Sequence, residues 1–133
     1  MIDSHLVKMG VAYVLSLPIG WDRESSAHSA GLRTFPLVAV AACGFMLIAI
    51  EVFNGSDAQA RVAQGIITGI GFIGGGAILK TDSHVTGTAT ATSIWSTGAI
   101  GIGVAWGRYE IAILLSALTF LTLRALGRFK SNR

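Results

Sequence analysis

The chain has 133 residues, of which 52% are hydrophobic and only 13% charged, with a mean hydropathy of +0.64. That balance excludes an ordinary soluble protein and points to an integral membrane protein. The net charge of +3 and a pI near 9.5 do not signal nucleic acid, because the Lys and Arg residues sit between apolar runs or at the C-terminus, where they set topology.

Five spans of about 20 residues would occupy most of this length. Residues 1–133 therefore read as a single transmembrane domain, an all-α polytopic bundle of about five helices with no separate soluble domain. The first apolar stretch runs from about His5 to Gly20 and ends where Pro18 disfavours helix at Leu17. No basic region precedes it and no small-residue cleavage site follows, so it reads as a retained span. Lys8 lies near one end, where its stem can carry the ammonium to the interface, and Trp21 marks the other interface.

Asp22 to Arg33 has a loop composition, with Ser25, Ser26, His28 and Gly31. A second span follows from Thr34 to about Phe53, with Pro36 tolerated in its first turn. Cys43, the only cysteine, has apolar neighbours and reads as a buried thiol. Asp57 is expected to cap a third helix that continues through about Leu79. Lys80, Asp82 and His84 form a short connection. A fourth span covers about Thr88 to Trp106, and Gly107 with Arg108 turns into a fifth from Tyr109 to about Leu126.

With five spans, Arg23, Arg33, Lys80, Arg124, Arg128, Lys130 and Arg133 share one side, and Lys8, Arg61 and Arg108 the other, seven against three. The positive-inside rule then places the C-terminus in the cytoplasm and the N-terminus outside. Four spans would move the N-terminus inside.

The third span holds six glycines, Gly65, Gly69, Gly71, Gly74, Gly75 and Gly76, which lower helix propensity in any solvent. Two readings stand. Gly65 with Gly69, and Gly71 with Gly75, are spaced for close helix packing; alternatively Gly74 to Gly76 break the helix and expose backbone to a cavity or ligand. Gly69, Gly71 and Gly74 also match a dinucleotide-binding spacing, but no strand precedes them and no acidic ribose partner follows.

In the fourth span Thr90, Ser93, Thr97 and Gly101 share one helical face. Their hydroxyls either bond back to the preceding turn or reach the third span, and a polar path between the two helices would recruit Gln64 and Thr68. Asp22, Arg23, Glu24 and Arg33, with Asp82, form a charged group on the cytoplasmic side, as a salt-bridged network or as solvated loop charges. Arg61 and Asp57 fall on the opposite side. The carboxylates are few for a magnesium cage. His5, His28 and His84 lack metal-ligand spacing, and no nucleophile, base and orienting group occur together. No enzyme activity and no cofactor are expected.

These motifs together resemble the MgtC/SapB family of membrane proteins. The resemblance rests on Asp22-Arg23-Glu24, Gly31-Leu32-Arg33-Thr34, Arg61 with Ala63-Gln64, the run Gly69 to Leu79, then Val85, Gly87, Thr90, Ala91, Trp95 and Ala99-Ile100-Gly101. It covers about residues 5 to 125. Asp22 stands where the family commonly has Glu, and Phe35 where a polar residue is common. The chain looks like the short form, without the cytoplasmic C-terminal domain of some members.

The resemblance implies a bacterial inner-membrane protein tied to low-magnesium adaptation and, in some pathogens, to survival in host cells. It implies a non-enzymatic modulator of other membrane proteins rather than a magnesium pump; a small magnesium or proton transporter with a path between the third and fourth helices is the competing expectation. The positions it singles out are Asp22, Arg23, Glu24, Arg33, Arg61, Gln64, Gly71, Gly74, Gly75, Gly76 and Thr90. The expected partners are the lipid bilayer, other membrane proteins and a second copy of the chain; nucleic acid is not expected. The third and fourth helices are expected to form the centre of the bundle.

Overall fold

The computed structural model describes residues 2–26 and 30–131. His28 and Arg133, which entered the reading of the first loop and of the C-terminal tail, lie outside the described residues. Helix α1 covers Ile2–Ser26, α2 Thr34–Val52 and α3 Ser56–Gly75; a two-stranded antiparallel hairpin, β1 Leu79–Lys80 and β2 Val85–Thr86, leads to α4, Thr88–Ala105. Helix α5, Tyr109–Leu121, passes through a π-helical turn, Thr122–Leu126, into the short α6, Gly127–Ser131.

Three of the expected spans match. Helices α2 and α4, and α5 taken together with its π-helical turn, begin and end within a residue or two of their apolar runs, as uninterrupted apolar segments with polar punctuation should. Among the described residues, two stretches, Thr34–Val52 and Tyr109–Phe129, are long and apolar enough to cross a membrane. Leu37, Phe45, Ile48, Phe72, Leu114 and Leu118 are exposed on the outside of the bundle, an outer surface suited to lipid.

The first helix corrects the sequence expectation. It does not stop near Gly20 but continues through Pro18 to Ser26, so Asp22 to Ser26 are helical. Proline removes one amide and crowds the carbonyl four residues back, a penalty of about 3 kcal/mol in an isolated helix. Side-chain donors close to it, one of them from α5, help to offset it here. Ser116 of α5 donates to the Leu15 carbonyl one turn before Pro18 (2.6 Å), and Ser16 Oγ donates to the Tyr13 carbonyl (2.7 Å). Beyond the proline, Ile19, Gly20 and Asp22 are buried.

The third helix is shorter than expected. Its N-cap is Gly55, not Asp57, and it ends at Gly75 rather than near Leu79. The amides of Ala77 and Ile78 bond back three residues, to the Gly74 and Gly75 carbonyls, a tightened last turn. Leu79 is then extended opposite Thr86. Three successive glycines are poor helix formers, so the paired hairpin wins. Gly74 to Gly76 therefore end the helix rather than interrupt it.

The centre of the bundle is α4 alone, which touches each of the other four long helices. Small residues permit this. A Cβ on Gly101 would overlap the Ala39 carbonyl oxygen of α2, and one on Gly98 would overlap the Ile70 side chain of α3. Helix α3 is peripheral: only Ala63, Ile66, Ile70 and Gly74 are buried, all on one face. A Cβ on Gly74 would lie 2.9 Å from the Ala91 carbonyl oxygen, whereas Gly65, Gly69, Gly71 and Gly75 have nothing within 4 Å of theirs. The two expected glycine pairs thus do not pack within the chain.

Candidate functional site

The candidate site forms where α1, the α4 start and the α5 end meet. Helices α1 and α5 run parallel, with Leu15 beside Ser116 and Asp22 beside Arg124. Helix α4 runs against α1, with Arg23 beside Thr90 at one end and Lys8 donating to the Ala105 carbonyl at the other (2.9 Å). Lys8 thus serves a carbonyl at the C-terminal end of α4, where a cation is favoured. The π turn supplies Arg124 to the same end of the bundle as Asp22.

Asp22 is only 1% exposed. Its Oδ2 accepts from Arg23 Nε (3.1 Å) and Nη2 (2.8 Å), and Arg124 Nη1 lies 3.5 Å from Oδ1. Arg23 Nη1 donates to Thr90 Oγ1 (3.2 Å), which ties α1 to the first turn of α4. The Arg124 guanidinium sits 4.4 Å from the centre of the Trp21 ring, a cation–π geometry, and Trp21 also meets Phe120. Burying a carboxylate among helices is costly unless it is paired and hydrogen-bonded as it is here.

The charged network therefore exists, with a membership that differs from the expectation. Asp22, Arg23 and Thr90 come together. Glu24 turns away: its Oε1 accepts from the Leu32 amide (3.2 Å), and its side chain lies against Gly31, closing the turn into α2. Arg33 is the exposed N-cap residue of α2, Asp82 lies in the exposed hairpin turn, and Arg61 is exposed on α3. His84 lies in the same turn, and His5 pairs with Glu51 at the other end of the bundle.

The polar path between α3 and α4 is not formed. Ser93 Oγ donates to the Thr90 carbonyl (2.9 Å) and Thr97 Oγ1 to the Ser93 carbonyl (2.7 Å), so these buried hydroxyls bond back within α4. Gln64 and Thr68 are exposed on the outside of α3. With Gly71 and Gly75, also exposed, they recur at intervals of four, three and four residues and share one outward face. Gly76 is exposed just beyond it.

Arg124 and Trp21 are the partners that the sequence reading did not assign to this site. One signal could have found them. If the first and fifth helices run parallel, a basic residue ending the fifth apolar run reaches the level of the acidic residue ending the first.

The model of the MgtC family matches residues 9–132. The chain is 34% identical over 131 residues to "Putative magnesium transporter YhiD" of Escherichia coli (strain K12), a match covering 92% of this chain and 60% of that protein. It is 32% identical to "Protein SrpB" of Synechococcus elongatus, over 90% of this chain and 73% of that one. It is 40% identical over 91 residues to "Protein MgtC" of Brucella abortus, over 68% and 38% of the two chains. The chain thus spans about 60% of the length of the Escherichia coli relative. No solved structure matches it.

Proposed function

The chain belongs to the MgtC family, and from that premise we propose that it is a non-enzymatic modulator of other membrane proteins, serving magnesium homeostasis and low-magnesium adaptation. It crosses a bacterial inner membrane several times, with the N-terminus outside and the C-terminus in the cytoplasm. The seven-to-three distribution of Lys and Arg supports that orientation. The magnesium association is supported by the printed name of the Escherichia coli relative.

The observation that carries the modulator reading is the outward face of α3. Gln64 lies about 12 Å along the helix from Ser56, well inside a span. A primary amide facing hydrocarbon is unfavourable unless it is hydrogen-bonded. Gly71 and Gly75 on the same face leave space for a second backbone. Such a face suits a helix of another membrane protein or of a second copy of this chain. Close contact of Gly98 with Ile70 and of Gly74 with the Ala91 backbone, between α3 and α4, supports this reading over a path between those helices.

The test combines cross-linking with flux. A photo-cross-linker at Thr68 is expected to capture a membrane-embedded partner, and Gly71→Leu or Gly75→Leu is expected to abolish capture while the purified variant stays folded. Magnesium or proton flux through the wild-type protein in liposomes, lost in Gly75→Leu, would overturn the modulator reading in favour of a transporter.

A further inference from the structure

A cavity of about 930 Å³ opens between the ends of α1 and α5, the hairpin and the start of α4. Among the described residues its charged lining comprises Arg23, Arg124, Arg128 and Asp22. Asp22 is buried and already paired with Arg23, so it presents little negative charge to the cavity. Arg23 is held by Asp22 and Thr90. Arg124 is different: its 3.5 Å approach to Asp22 is too long for a strong hydrogen bond, and its side chain is 43% exposed. Arg124 lines the cavity wall.

The surrounding groups add donors. Helix α4 begins at this wall, and Thr88, Ala89 and Thr90 line it. Gly87, the N-cap, has no side chain to accept from their amides. The positive end of an 18-residue helix therefore adds to the field of the guanidiniums. Ser26, Thr86 and Thr122 contribute hydroxyls, and Leu79, Leu123 and Leu126 complete the wall. Leu79 and Leu126 are largely exposed, so the apolar rim continues onto the outer surface.

We propose that this cavity is a binding site for an anionic phosphate group. Arg124 is its principal partner, the start of α4 a further donor, and Arg23 a fixed charge behind them, with Arg128 also on the wall. Arginine forks match the several acceptor oxygens of a phosphate. Two sources share this chemistry: the headgroup of an anionic phospholipid, whose chains would pass over the leucine rim, and free phosphate from the aqueous side. The proposal does not depend on the modulator reading, since it concerns a different face of the bundle.

The test uses the full chain purified in neutral detergent. Native mass spectrometry compares retention of phosphatidylglycerol with that of phosphatidylcholine, whose choline would bring a cation toward the guanidiniums. Calorimetry follows titration with inorganic phosphate. Preference for phosphatidylglycerol identifies the lipid source, and saturable phosphate binding the soluble one. Whichever is bound, Arg124→Gln is expected to weaken it by about tenfold or more. Because Arg124 also touches Asp22, Ser26→Glu is the second variant: it adds a negative charge at the exposed end of α1 without disturbing the Asp22 pair, and weakens binding similarly. Equal retention of both lipids with no phosphate binding, or binding indifferent to both variants, overturns the proposal.

Discussion

Ser116 donates a 2.6 Å hydrogen bond to the carbonyl of Leu15, one turn before Pro18. The bond joins α5 to the part of α1 where the helical ladder is weakest, and the hydroxyl is buried. Ser116→Ala is expected to lower stability by about 1 kcal/mol, the upper part of the range for hydrogen bonds between membrane helices. Thermal unfolding in detergent would measure it. No change would mean that the Leu15 carbonyl does not depend on α5.

Asp22 is the charge on which the end of the bundle is organised. Replacing it with alanine leaves Arg23 and Arg124 without their counter-ion, and breaking a buried pair in this way costs about 3 kcal/mol or more. Asp22→Ala is expected to be the more disruptive change and Asp22→Asn the milder, since asparagine still accepts from Arg23. Arg23→Lys should not substitute well, because one ammonium cannot reproduce the paired Nε and Nη2 contacts together with Nη1 on Thr90. Equal stability of wild type and Asp22→Ala would show that the network does not support the fold.

The glycines divide by position. Gly101→Leu is expected to unfold or severely destabilise the protein, because even a Cβ there meets Ala42 Cβ at 2.8 Å and the Cys43 amide at 2.9 Å, and overpacking of this kind costs about 1–3 kcal/mol before any larger side chain is placed. Gly71→Leu has open space and is expected to fold normally. Its predicted defect is loss of the cross-linked partner. Matched circular dichroism and unfolding curves for the two variants would check the contrast, and a destabilised Gly71→Leu would show that its face is already occupied within the chain.

The contrast also shows how much a single sequence carries. Helices α2, α4 and α5 were legible because a continuous apolar run bounded by polar residues admits few other structures. The buried hydroxyl face of α4 was legible from periodicity. The extension of α1 through Pro18 was not, because the donor that helps to offset it, Ser116, stands about a hundred residues away. For the same reason Asp22 and Arg23 were recognisable as members of a charged group, while Arg124 and Trp21 were not recognisable as their neighbours. The glycine spacing in α3 stated that backbones could approach. It could not state that the approach, except at Gly74, is not made within the chain.

Gly87 provides the last test, at the junction of the hairpin and α4. Its φ of +85° lies in the left-handed region, which costs a residue with a Cβ about 1–2 kcal/mol. A Cβ there would also overlap the Ala77 carbonyl oxygen just after α3. Gly87→Ala is therefore expected to push the hairpin away from the end of α3 while leaving the far end of α4, around Ile100 to Ala105, in place. Hydrogen exchange should accelerate at the hairpin amide of Thr81, which donates to the His84 carbonyl (2.9 Å), and remain slow at Ile100 and Val104. Because Thr86, Gly87 and Thr88 line the cavity, the same substitution should weaken phosphate binding without removing a charge. Unchanged exchange at Thr81 would show that the hairpin can absorb the extra carbon.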